Sequence, residues 1–372
     1  MKLKGAIIGV SGYGNVHYTD LMQFCKDGRM EFVGATVINR DQEQEKCAVL
    51  ESMGCKIYDD YKVMLQDLSG KIDFCTIPTG ILMHKEMTVE ALRHGIHVLV
   101  EKPAAPDMES LQIMQDAASE SDRITAIGFQ FNYQQNTRAL KELLLSGKLG
   151  RIRRLRGLCL WPRNNDYYAR NNWSGKRILN GRVVNDAPFS NATAHYLMLL
   201  LYFAGIEQNK GAMPVSVNGN LWRVNPEIES CDAAELHYQL DNGLTLDYVC
   251  SHACRNNINP ILEIECEQGK VVWTLPETCI YTADGCRKIP HPIGAFESRQ
   301  EMWQAFLDKV SGKETEITGL ELAGCHTKAV DLAFQTLPIQ DVTGKIQMIR
   351  EDPGYRYIFP EFDTKFETYL NL

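Results

Sequence analysis

The sequence predicts an α/β protein with a doubly wound parallel sheet over residues 1–128. An α+β domain over 129–372 follows, built on a large, mostly antiparallel open sheet. Short, almost wholly apolar runs alternate with amphipathic stretches up to Gly128, and longer segments of alternating polarity come after it. A glycine-rich turn directly follows the first run. Apolar runs covered on both faces mark parallel strands separated by helices, whereas alternation marks a sheet with one buried face. At 372 residues the chain is also long for a single core, so two domains are expected.

The first-domain strands are GAIIGV, MEFVGATVI, IDFCTI, IHVLVE and RITAIGF. Between them lie helical segments such as ILMHKEMTVEALRHG, which stops at Gly95 as a helix should. After Gly128 a helix over NYQQNTRALKELLLSGKLG closes near Gly147. The segments RIRRLRGLCLW, MPVSVNGNLWRV, AAELHYQL, LTLDYVCSHAC and ILEIECEQGKVVWTL then alternate as strands of the second sheet. The apolar helix PFSNATAHYLMLLLYFAG and two later ones, near Glu297 to Val310 and Leu320 to Leu337, are expected to cover that sheet. The segment after Ile339 is irregular and aromatic-rich, and no function is read from it.

Composition excludes several classes. The net charge is −8, and basic residues cluster only in RIRRLR, where alternation with Ile and Leu reads as one solvated strand face; nucleic acid is not an expected partner. No apolar run reaches the roughly 18 residues of a membrane span, and the run after Lys4 is too short for a signal peptide, so a cytoplasmic protein is expected. The 12 Cys are scattered with no C-x-x-C pair, reading as reduced thiols, and no metal site is expected.

The turn after the first strand, Gly9-Val10-Ser11-Gly12-Tyr13-Gly14, fits a dinucleotide phosphate loop. Gly9 suits the tight turn and Gly14 the close helix–strand contact. Ser11 stands where the fingerprint has its middle glycine. The second strand ends in Asn39 and Arg40 rather than an acid that would accept from both ribose hydroxyls. That pair suits a 2′-phosphate, so the cofactor expected is NAD or NADP, with NADP preferred.

Together IIGVSGYGNVH, IDFCTIPTGILMHKEMTVEALRHGIHVLVEKPAA, AIGFQFNY and NATAHYLMLLLYFAG resemble the glucose-fructose oxidoreductase, inositol dehydrogenase and rhizopine catabolism protein family, Gfo/Idh/MocA, over about the first 205 residues. The resemblance implies an N-terminal Rossmann domain and a catalytic Lys102 in Glu101-Lys102-Pro103, hydrogen-bonding the reacting oxygen beside the nicotinamide. Glu101 would orient that ammonium or the nicotinamide ribose, and Pro103 would end the strand so that both side chains face the cleft. Pro78, Thr79 and His84 resemble the segment under the nicotinamide ribose, with His84 equally able to satisfy backbone groups. Gln130 matches a nicotinamide-facing position. Asn132 replaces a frequent Arg.

In the second domain the family's Asp and His, four apart, correspond to Asn191 and His195, which at that spacing share a helical face. His195 has the chemistry of a general base near neutral pH. Asn191 cannot titrate, and Asp186, five residues earlier, could supply the carboxylate. The loop WPRNNDYYARNNWSGKR combines aromatic faces with amides and guanidinium forks, a composition suited to a sugar. Within it Tyr168, Arg170 and Trp173 resemble sugar contacts. The expected activity is a dehydrogenase of a sugar, sugar derivative or cyclitol. A nucleotide-recycling glycosidase and a non-catalytic dinucleotide-binding regulator are the alternatives. The family resemblance implies a homodimer or homotetramer formed through the second-domain sheet.

Overall fold

A computed structural model describes residues 2–292 and 296–362. The chain divides into two compact units, one formed by residues 1–134 and 294–324 and the other by 135–293 and 325–372.

The first unit is a six-stranded sheet ordered β3-β2-β1-β4-β5-β6, with β1 Leu3–Ile8, β2 Met30–Thr36, β3 Lys56–Tyr58, β4 Phe74–Ile77, β5 His97–Val100 and β6 Thr125–Ile127. All of its strand pairs are parallel. The helices α1 Gly14–Lys26, α2 Gln44–Ser52, α3 Tyr61–Leu68, α4 His84–Arg93 and α5 Met108–Ser121 alternate with the strands. β4 is buried at all four positions, as a strand covered on both faces must be. Strand order reverses between β1 and β4, and such a switch point opens a crevice at the carboxyl ends of the strands.

The second unit opens with α6 Gln135–Leu145 and holds a nine-stranded mixed sheet. Its strands are β7 Ile152–Leu160, β10 Pro214–Arg223, β11 Ala233–Leu240, β12 Thr245–Ser251, β13 Ile258–Cys266, β14 Gly269–Thr274, β15 Glu277–Thr282, β16 Gly285–Pro290 and β17 Ile339–Asp341. Between β7 and β10 come the short helix α7 Asn165–Ala169, the hairpin β8 Ile178–Leu179 with β9 Arg182–Val183, and α8 Ala194–Ala204. α8 is buried on nearly every side, and Gly157 of β7 admits it: a Cβ there would come within 2.8 Å of Leu200.

One helix is not where the sequence placed it. α9 Glu297–Val310 was expected over the second sheet, yet Met302, Trp303, Phe306 and Leu307 pack into the first unit's core with Ile7, Phe24, Phe32 and Phe74. Arg299 forks onto buried Asp20 at 2.6 and 2.9 Å, and Trp303 Nε1 donates to the same carboxylate at 3.0 Å. Of α10 Leu320–Thr336, the part from Cys325 onward belongs to the second unit, where Tyr238 donates its hydroxyl to the Ala329 carbonyl at 3.0 Å. The tail is more regular than expected. β17 extends the sheet edge beside β10, β18 Gln347–Arg350 pairs with β19 Tyr355–Ile358, and Phe359 and Phe362 pack with Trp222.

Candidate functional site

In the first unit the glycine turn is shaped by what its residues lack. Gly9 and Gly12 have φ of +91° and +54°, and a Cβ on Gly14 would meet the Gly9 carbonyl oxygen at 2.4 Å. Backbone is thereby brought against the start of α1, whose first N–H groups, from Gly14, Asn15 and Val16, donate to the turn carbonyls of Ser11, Gly12 and Tyr13, and whose dipole favours an anion. The same missing Cβ would lie 3.5 Å from Pro78, and one on Gly9 would lie 3.9 Å from Thr79, so the loop after β4 borders the turn. A cradle of this form fits a dinucleotide's pyrophosphate. Tyr13 is half-exposed beside His17, their rings 5.9 Å apart.

The ribose end is built differently from the sequence expectation. Asn39 donates to Ser11 Oγ at 2.9 Å and to Gln42 at 3.0 Å. Arg40 Nε lies 2.7 Å from Asp59 Oδ1, and its Nη2 donates to the Ile57 carbonyl at 3.0 Å. The guanidinium already faces a carboxylate, which would repel an added phosphate.

His84 sits one turn from Thr79 and links it to the Lys102 segment. Nε2 is 3.0 Å from the Thr79 carbonyl and Nδ1 is 2.9 Å from that of Pro103. Burial holds its pKa below the ordinary value. Gln130 Nε2 donates to Ser298 of α9 at 3.1 Å, and Asn132 is buried.

Glu101 and Lys102 directly follow β5. The expectation that Glu101 faces the cleft is corrected: it is 5% exposed, with Oε1 lying 2.9 Å from His17 Nε2. Oε2 accepts the Lys102 backbone N–H at 3.1 Å. A Cβ on Gly128 would fall 2.7 Å from Oε1, so Gly128 makes room for the inward carboxylate. His17 itself went unnoticed in the sequence; its only signal was its place one turn into the helix after the glycine turn.

In the second unit, the sequence placed Asn191 and His195 on one helix. α8 begins only at Ala194, and Asn191 lies in the turns before it, its N–H donating to the Ala187 carbonyl at 3.1 Å. The Thr193 hydroxyl donates to the Pro188 carbonyl at 2.9 Å, bracing these turns just before α8. Asn191 Nδ2 donates to Asp186 Oδ1 at 3.0 Å, and Asp186 Oδ2 accepts from Gly175 N at 2.7 Å. His195 is half-buried on the first turn of α8.

Tyr168 lies on α7, and Arg170 and Trp173 follow it. The Arg170 guanidinium stands 3.5 Å from the centre of the Tyr167 ring and 5.5 Å from that of Trp173. Sequence reading missed Arg163, 5.1 Å from the Tyr167 ring, and His252, whose Nδ1 is 2.8 Å from the Trp161 carbonyl. Burial first and the Arg163 charge second push the His252 pKa down to about 3. Tyr355 of β19 supports the segment, its N–H donating to Asn165 at 2.9 Å.

A glycine cradle at the switch point of a parallel six-stranded sheet defines a dinucleotide-binding α/β protein. The chain belongs to the Gfo/Idh/MocA family. Residues 3–129 match the model described as the oxidoreductase family, NAD-binding Rossmann fold, and residues 137–272 match the GFO/IDH/MocA C-terminal domain. Glucose-6-phosphate 3-dehydrogenase of Bacillus subtilis (strain 168) is 23% identical over 67% of this chain and 67% of its own. D-glucoside 3-dehydrogenase of Escherichia coli (strain K12) is 31% identical over 40% of this chain, which spans 41% of that relative. The WlbA dehydrogenase from Bordetella pertussis, solved with NADH and UDP-GlcNAcA, has the same fold at a TM-score of 0.72 and 19% identity, over 91% of this chain and 100% of that one. Levoglucosan dehydrogenase, solved with NADH and L-sorbose, matches at a TM-score of 0.73 and 18% identity, over 90% and 98%. Among the described residues no helix is long and apolar enough to cross a membrane, and no group of three or more His, Cys, Asp or Glu could hold a metal ion.

Proposed function

We propose that the protein is a nicotinamide-dependent dehydrogenase acting on a secondary alcohol of a sugar, sugar derivative or cyclitol. The observation that carries this is the first unit's crevice, where the glycine cradle and the Lys102 strand end border one switch point. The named activities of the relatives support the substrate class. A bound nicotinamide supplies the hydride acceptor. Gly9, Ser11, Gly12, Tyr13 and Gly14 would hold its pyrophosphate, and Asn39, Pro78 and Thr79 its riboses. Because Arg40 is engaged by Asp59, NAD is the better reading than the NADP preference expected from sequence.

Lys102 donates a hydrogen bond to the substrate oxygen, and His195 takes the hydroxyl proton as the carbon loses its hydride. Asp186 accepts from the Asn191 amide and so sets the orientation of that side chain. Absorbance at the reduced-nicotinamide band, with NAD or NADP and a panel of hexoses, uronates, cyclitols and glycosides, tests the assignment. Growth with one substrate and NAD is expected, and Lys102→Met should lower kcat/KM about 100-fold or more. A flat trace with bound nucleotide, or an unaffected variant, rejects it.

The second-unit sheet is proposed as the surface for dimers or tetramers. One of its faces carries a polar ladder that includes His237, Asp247, Arg154, Glu263 and Lys270. Light scattering should give a mass at least twice the 42.1 kDa of one chain; a monodisperse monomer excludes the assembly.

A further inference from the structure

His17 is wholly buried, and both of its ring nitrogens are engaged. Nε2 lies 2.9 Å from Glu101 Oε1 and Nδ1 lies 2.6 Å from Thr76 Oγ1. A carboxylate oxygen facing that nitrogen accepts, so the proton sits on Nε2, and in the neutral ring Nδ1 accepts a hydrogen bond from the Thr76 hydroxyl. Trp303 meets the ring edge-on with centroids 4.9 Å apart, and Trp303 is in turn tied to Asp20, the carboxylate that Arg299 grips. The imidazole therefore has one orientation. It hangs from α1, which begins at the phosphate cradle, and it holds the carboxylate that accepts the Lys102 backbone N–H.

We propose that His17 is a positioning residue for Lys102, fixing Glu101 so that the backbone after β5 is set at the crevice. The inference rests on the dehydrogenase reading for its consequence in turnover, but the restraint itself is a property of the first unit. Glu101 is thereby a strut between helix and strand end. Its burial is explained by two hydrogen bonds and by the side chain that Gly128 lacks. Reacting groups misplaced by about 1 Å lose about 100-fold in rate, which is the scale on which such a strut acts.

The test uses two isosteric variants. His17→Gln places an amide N–H near the Nε2 position and keeps the donor to Glu101; His17→Asn places its amide near Nδ1 and keeps only the Thr76 side. Hydrogen exchange at the Lys102 amide, followed by NMR on the full chain, reads the strut directly. His17→Asn should speed exchange about 10-fold or more, and His17→Gln should stay within about 3-fold of the parent. Thr76→Val, which loosens the ring from the other side, should move exchange in the same direction by less. In turnover, kcat should fall about 10- to 100-fold for His17→Asn with KM little changed, and His17→Gln should recover most of it. NADH titration by fluorescence should stay within about 3-fold for all variants, showing that the cradle is folded. Equal exchange in Gln and Asn variants, or unchanged protection in both, overturns the proposal. Exchange and NADH titration need no substrate, so a parent protein without turnover rejects the dehydrogenase reading while the strut is still decided.

Discussion

At Gly14 a single methyl group would settle the fate of the phosphate cradle. The Cβ of an alanine would stand 2.4 Å from the Gly9 carbonyl oxygen, and backbone cannot rotate aside as a side chain can. Gly14→Ala is expected to cost about 1–3 kcal/mol in a urea melt and to weaken NADH binding at least about 10-fold by fluorescence titration. Wild-type affinity in that variant would remove the cradle from the binding site. This residue was legible in the sequence because its spacing from Gly9 and its place after an apolar run state the geometry. Glu101 was legible as a position but not as a direction. Its partner His17 lies 84 positions away, and no local pattern announces that a carboxylate will turn inward. The ion pair of Arg40 with Asp59 was illegible for the same reason, since Asp59 belongs to a turn whose approach to Arg40 is set by the β2–β3 pairing.

The elements divide along a similar line. Five of the six parallel strands were readable as apolar runs, whereas β3 is only Lys56–Tyr58 and too short to show a period. β16 is exposed over most of its length, so the hairpin it forms with β15 has little apolar alternation. α9 was found as a helix but assigned to the wrong sheet, because a helix's apolar face shows that it is covered and not by what. In the second unit the polar ladder gives a pH signature. Hydrogen bonds to Asp247 and then Glu235 raise His237 to about 9. A pKa raised by folding confers stability that is complete below the unfolded value of about 6.5 and is lost as pH rises through the folded one. Urea melts from pH 6 to 10 should therefore show the parent's advantage over His237→Gln shrinking across that range. The half-exposed ring makes the effect modest, and a constant difference at every pH would mean that the ion pairs do not form in solution.

For the whole molecule, the partition of the chain matters more than its length. The boundary read from sequence ends the first domain at residue 128, and the core of the first compact unit also contains Trp303 and Phe306 of α9. A fragment of residues 1–134 should expose the apolar surface those side chains cover. It is expected to bind a hydrophobic dye and to be digested by thermolysin far faster than the full chain. Adding residues 296–324 in trans or by fusion should reverse both. A protease-resistant, dye-negative fragment would show that α9 is dispensable. The same partition sets a schedule on the ribosome. The six strands emerge first, and the helix that seals them is translated about 160 residues later, a wait of about 8–30 s at ordinary elongation rates. Through that interval the nascent sheet has an open apolar seam, and residues 135–293 of the second unit must be synthesised before the first can close. A trigger for chaperone capture is thus written into the order of the chain, and slowing translation between codons 135 and 296 should lengthen it.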